Sequence, residues 1–203
     1  MTSLRSPIFL AFWAAARIIL PLRFQVQVQG MHNLPQNGPA FLIPKHQQWW
    51  DVPLLGTFIP RPLYFLAKQE LFTNFFSRFF IGRLGGISID RKNPLKSLKT
   101  FRSLVPLLQN GSFLVLFPEG TYYPGTIGPG KWRLIRMILS LQQKNGLLPI
   151  PFFPIGIHYS SETNSIQREV EITIGPALIE TNPLQAEAFT QELLSQIKTL
   201  SRL

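Results

Sequence analysis

Residues 40–53, AFLIPKHQQWWDVP, decide how the chain is read. Ala40 to Ile43 is a short apolar run closed by Pro44, as expected of a buried strand. Pro53 further on is tolerated in a helix only within its first turn. A strand, a loop and a helix start therefore follow one another here. Working outward, Phe24 to Gln29 alternates apolar and polar residues, and Phe113 to Phe117, Ile150 to Ile157 and Val170 to Ile174 also read as strands. Asn93 with Pro94 is a cap and first-turn pair opening a helix that closes near Gly111. Asn182 with Pro183 opens a last helix that turns Phe189, Leu193, Ile197 and Leu200 inward. This alternation predicts an α/β layered fold with its site on loops at strand ends. The chain carries no internal repeat, low-complexity tract or long polar linker, so one continuous domain is expected from residue 24 onward.

The 203 residues are 45% apolar and 15% charged, enough to bury a sizeable core and low in charge for a soluble domain. Twenty Lys and Arg against ten Asp and Glu give a net charge of +10, which favours anionic partners. Without cysteine, disulfides, thiolate nucleophiles and Cys-ligated metals are excluded. The chain has no G-x-S-x-G elbow, no G-x-x-x-x-G-K phosphate loop and no paired metal ligands. GTIGPG at Gly125 to Gly130 reads as a flexible loop.

Ile8 to Leu20, IFLAFWAAARIIL, is almost unbroken in its apolar character, but as a helix it extends only about 20 Å against a hydrocarbon core of about 30 Å. With Arg5, Arg17 and Arg23 around it, the segment suits a helix lying among lipid headgroups; packing on the core is the alternative. Phe72, Phe75, Phe76, Phe79 and Phe80 are spaced as one helical face, opposite Thr73, Asn74, Ser77 and Arg78. Such a stripe is either core or a surface for acyl chains or membrane.

Three clusters have the composition of a reactive site. In KHQQWWDVP, His46 and Asp51 would stand roughly 140° apart on a continuous helix and meet only if the loop folds back. If they meet, the carboxylate fixes the imidazole tautomer and the other ring nitrogen can take a proton from a hydroxyl. Otherwise Asp51 is a helix cap and His46 a loop residue. In GGISIDRKNP, Gly85 and Gly86 precede Asp90 and Arg91, and Arg91 suits a bidentate grip on phosphate. Lys92, Lys96 and Lys99 read as a solvated basic face. In LFPEGTYYPG, Phe117 ends a buried strand, and Glu119, Gly120 and Thr121 form a turn whose N–H groups can face a ligand. Glu119 serves either that site or the neutralisation of nearby cations.

Together, HQQWWD at His46 to Asp51, GGISIDR at Gly85 to Arg91, FPEGT at Phe117 to Thr121 and LPIPFFPIG at Leu148 to Gly156 resemble the four ordered blocks of the glycerolipid acyltransferases, over about residues 24–180. The resemblance implies a mixed central sheet flanked by helices; with the interfacial helix read from its own residues before it, the chain is expected to divide into an N-terminal interfacial helix over residues 1–23 and an acyltransferase domain over 24–203. The resemblance also implies transfer of an acyl group from acyl-CoA or acyl carrier protein to a lysolipid hydroxyl, above all that of 1-acyl-glycerol-3-phosphate. No cofactor or metal is implied, and the site is expected at the cytoplasmic face of an anionic membrane. His46 would be the general base and Asp51 its orienter; Arg91, Glu119, Gly120 and Thr121 would bind the acceptor's phosphate end.

The chain departs from the pattern in one place. Tyr122 and Tyr123 follow FPEGT where the family usually has arginine, and Lys131 or Arg133 are the candidates to supply the missing charge. Other lipid acceptors and a non-catalytic lipid-binding relative are the rival readings. A nucleic-acid module fits least, because the phenylalanines follow a helical stripe and an apolar N-terminal helix has no purpose on RNA.

Overall fold

The computed structural model describes residues 7–73, 75–89, 94–160 and 167–203. Helix α1 (Pro7–Arg23) leads into strand β1 (Phe24–Gln29), followed by β2 (Ala40–Pro44), α2 (Asp51–Phe58), β3 (Leu63–Lys68), α3 (Phe75–Arg83) and β4 (Gly86–Ile89). Then come α4 (Pro94–Gln109), β5 (Phe113–Val115), α5 (Trp132–Lys144), β6 (Phe152–Tyr159), β7 (Arg168–Ile174) and α6 (Ala186–Leu200). The strands form one seven-stranded sheet in the order β1-β7-β6-β2-β5-β3-β4. The β6 and β7 pair is antiparallel and the other pairings are parallel, so the sheet is mixed.

Strand β2 lies near the middle, with every residue buried. Its successive side chains feed opposite layers, which is why it reads as a continuous apolar run rather than an alternating one. Phe41 and Ile43 join Phe101 and Leu104 of α4, Ile135 and Ile138 of α5, and Phe189, Leu193 and Ile197 of α6. Ala40 and Leu42 join Leu54 and Leu55 of α2 and Leu20 of α1 on the other face. Helices thus cover both faces, and the loop after β2 emerges between them.

Several expectations need correction. Leu63–Lys68 is a sheet strand and Trp132–Lys144 a helix, neither of which the sequence reading named. Strand β5 stops at Val115, although Leu116 N–H still donates to Leu42 O at 3.0 Å, and β6 begins at Phe152 and runs on to Tyr159. The phenylalanine stripe is not one helical face. Phe72 closes a separate 3-10 turn and is buried, whereas α3 starts at Phe75, whose side chain is 76% exposed. Asn74 and the side chains of Phe76, Ser77 and Phe80 lie outside the described residues. In the last helix Leu200 is half-buried, and Asn182 caps a short 3-10 turn that leads into α6 by accepting from Leu184 N–H at 3.0 Å.

Candidate active site

The loop between β2 and α2 folds back on itself around one carboxylate. Asp51, the first residue of α2, is fully buried. Its Oδ2 accepts from Gln47 N–H at 2.7 Å and Gln48 N–H at 2.9 Å and lies 2.9 Å from His46 Nδ1. The carboxylate caps the loop that precedes its own helix, and this brings together two side chains that helical geometry would hold apart. An ionised carboxylate only accepts, so the neutral imidazole carries its proton on Nδ1 and presents the Nε2 lone pair. The other oxygen, Oδ1, accepts from the Tyr159 hydroxyl at 2.6 Å, a bond between the end of β6 and the start of α2. Burial, with the Asp51 charge adding to it, pushes the Tyr159 phenol far above its ordinary value, so it remains a donor.

The imidazole is held between aromatic rings. It stacks on Phe117 at a centroid distance of 3.8 Å and meets the tilted ring of Tyr122 at 4.3 Å. Tyr122 is half exposed, and burial together with Asp51 raises its phenol as well. The aromatic residue that departs from the family pattern therefore lies directly beside His46.

The main chain of His46 is gripped by a second buried pair. Glu119, fully buried, accepts from Lys45 Nζ at 2.8 Å on both oxygens, from His46 N–H at 3.0 Å on Oε2 and from Gly128 N–H at 2.7 Å on Oε1. Lys45 Nζ also reaches the carbonyls of Tyr123 at 2.9 Å and His46 at 3.2 Å, and Tyr123 N–H donates to His46 O at 3.0 Å. Burial pulls the Lys45 ammonium below its ordinary value against the upward pull of Glu119. Glu119 thus faces inward, with both oxygens engaged by protein donors.

The turn that follows has Gly120 at φ +73°, the left-handed region open to glycine, and Thr121 on the surface. Lys131 is exposed at the start of α5, and its N–H donates to Pro118 O at 2.8 Å, which joins it to the same turn. GTIGPG is not a free loop. Gly128 donates to Glu119, leaving no room for a side chain against the Tyr123 ring, and Gly125 N–H donates to Gln47 Oε1 at 2.9 Å. Gln47 Nε2 in turn donates to Ile157 O at 2.6 Å, tying the loop to β6. Arg91, with Asp90, Lys92 and the side chains of Lys96 and Lys99, lies outside the described residues. Among the described residues no group of three or more His, Asp or Glu converges to hold a metal ion.

Beside this junction is an apolar cavity of about 290 Å³ lying under α1. Trp49, Val52 and Pro53 line it from the junction, with Phe9 and Trp13 of α1 opposite them.

Lys45 and Tyr159 were missed by the sequence reading. Neither left a signal, because each is defined by a contact made with a partner 74 or 108 residues away.

A family model described as Acyltransferase matches residues 25–158. A Pseudomonas aeruginosa protein named 1-acyl-sn-glycerol-3-phosphate acyltransferase is 27% identical over 206 residues, covering 95% of this chain and 76% of that one. A Bacillus subtilis protein of the same name is 33% identical over 108 residues, which cover 53% of each chain. The chain thus matches about half the length of the Bacillus relative. The crystal structure of the 1-acyl-sn-glycerophosphate acyltransferase PlsC from Thermotoga maritima superposes with a TM-score of 0.62 at 20% identity, over 93% of this chain and 77% of that one, and so shares the fold. With the family model covering more than half of its residues, the chain belongs to the Acyltransferase family.

Proposed function

We propose that the protein transfers a fatty acyl group from a thioester, acyl-CoA or acyl carrier protein, to a lysolipid hydroxyl, with 1-acyl-glycerol-3-phosphate as the leading acceptor. The observation that carries this reading is the His46 Nδ1 contact with Asp51 Oδ2 at 2.9 Å, which leaves the Nε2 lone pair as the proton acceptor. In the proposed reaction Nε2 takes the acceptor's hydroxyl proton as its oxygen attacks the thioester carbonyl. The tetrahedral intermediate collapses, the C–S bond breaks, and the imidazolium returns the proton to the leaving thiolate. The thioester is already activated, so alignment and deprotonation of the alcohol are the main tasks left to the protein.

Glu119 in this reading holds the loop from inside through Lys45 and the His46 main chain and does not touch the acceptor. Thr121 and Lys131, exposed on the joined turn, stand toward the acceptor's phosphate; Arg91 is assigned there by resemblance alone. The shared name of the Pseudomonas and Bacillus relatives favours a phosphate-bearing acceptor.

Helix α1 leaves Leu10, Phe12, Ile18, Ile19 and Leu22 exposed. Among the described residues no helix is long and apolar enough to cross a membrane. This surface supports a helix that lies on the bilayer, where the lysolipid is held.

The test is transfer of labelled acyl groups from acyl-CoA, and separately from acyl carrier protein, to a panel of lysolipids in detergent. Wild type should transfer, and His46→Ala should lose about 10²–10⁴-fold. No transfer to any acceptor by wild type, or equal rates in both proteins, would refute the reading.

A further inference from the structure

The side chain of His46 is 12% exposed, because an aromatic ring lies against each face of the imidazole. Phe117 is buried and stacks on the inner face at 3.8 Å. Tyr122 tilts over the outer face at 4.3 Å and is itself 48% exposed, so it is the ring that stands between the imidazole and solvent. The proposed reaction gives this ring no task.

Tyr122 is held in place by its neighbours. Gly120, with its left-handed backbone, turns the chain just before it. Just after it, Tyr123 N–H donates to the carbonyl of His46 itself at 3.0 Å, and Lys45 Nζ donates to the Tyr123 carbonyl at 2.9 Å. The Tyr123 ring packs against Gly128, which has no room for a side chain. The cover is therefore tied to the main chain of the residue it covers. Burial and the Asp51 charge raise the Tyr122 phenol, so the ring stays uncharged. An arginine here, as in the family pattern, would instead keep a charge and its hydration beside the imidazole.

We infer that Tyr122 keeps bulk water off the His46 imidazole and so holds the protein to acyl transfer rather than hydrolysis of its thioester donor. The inference rests on the acyl-transfer reading. A base that takes a proton from a lysolipid hydroxyl can also take one from water. In that side reaction the water oxygen attacks the thioester carbonyl as Nε2 accepts its proton, the C–S bond breaks, and the imidazolium returns the proton to the thiolate. The products are a fatty acid and a free thiol. Excluding water from the site suppresses this loss of donor, and a flat uncharged ring over the base excludes it.

The experiment follows free thiol and acylated lipid together, from palmitoyl-CoA and from palmitoyl-acyl carrier protein, with the lysolipid that wild type uses best. Thiol released beyond the lipid formed is hydrolysis. Tyr122→Ala should raise the ratio of hydrolysis to transfer about tenfold or more, while Tyr122→Phe, which keeps the ring, should hold it within about twofold of wild type. Tyr122→Leu should fall between them and guards against a folding defect, since a half-exposed position accepts an apolar side chain. Adding His46→Ala to Tyr122→Ala should abolish the extra hydrolysis. A ratio unchanged in both Tyr122→Ala and Tyr122→Leu overturns the inference and leaves the acyl-transfer reading standing. So does a ratio raised equally by Tyr122→Phe, or extra hydrolysis that survives the loss of His46. A wild type that forms no lipid with any acceptor overturns both.

Discussion

Lys45 and Glu119 form a fully buried ion pair, with Nζ 2.8 Å from each carboxylate oxygen, directly behind the main chain of His46. Removing one partner of such a pair leaves a buried charge uncompensated, a loss of about 3–5 kcal/mol. Lys45→Met and Glu119→Leu should each lower stability by that order in denaturant titrations. The double variant should lose less than the sum, because both charges leave together. Additive losses would mean that the pair is not coupled in solution.

Tyr159 anchors the carboxylate from the other side. Tyr159→Phe removes the 2.6 Å bond to Asp51 Oδ1 and leaves a buried acceptor without that partner, at a stability loss of about 1–3 kcal/mol. The freed charge on Asp51 then favours the imidazolium, so the acid limb of the kcat/KM profile should move to higher pH. Among the described residues, Lys45 and Arg168 are the cations that act on this pair, and both are retained in the variant. A stability loss with an unmoved limb would reduce Tyr159 to a packing residue.

Acidification bears directly on the proposed base. Protonated at both nitrogens, His46 has no lone pair for the acceptor's proton. The rate of a chemistry-limited reaction should therefore fall as pH drops from about 8 to about 5. A flat profile across that range would remove His46 as the base.

The β2, loop and α2 junction was legible because Pro44 and Pro53 bracket it and because β2, covered on both faces, reads as a plain apolar run. The meeting of His46 and Asp51 was legible only as a condition, since it depends on the loop folding back around Oδ2. Strand β3 escaped because its apolar run, Leu63 to Ala67, is not closed by a breaker as β2 is by Pro44 but continues into the helix-compatible Lys68, Gln69 and Glu70, and α5 escaped because Lys131 before it supplies no side-chain cap. The charge on Lys45 looked like one of many in a basic chain. Only the approach of the turn after β5 to the loop after β2 turns it inward onto Glu119. The same approach gives GTIGPG the ties that its composition concealed.

Membrane contact by α1 can be tested apart from catalysis. Ile18 and Leu22 are 70% and 69% exposed and lie one helical turn apart, so polar replacements there should leave packing intact. A bilayer surface would bury both, together with Ile19, and exposed leucine and isoleucine side chains each gain about 1.5–3 kcal/mol on full burial. Ile18→Asp/Leu22→Asp should therefore weaken sedimentation with anionic vesicles by at least about tenfold while thermal unfolding stays within a few degrees of wild type. Salt should weaken the wild type as well, because Arg17 and Arg23 flank the same surface and lose their attraction to headgroups as the Debye length shrinks. Vesicle binding unchanged in the double variant would place α1 with the packed core and direct the search for a membrane surface to the exposed Leu71 and Phe75 near the start of α3.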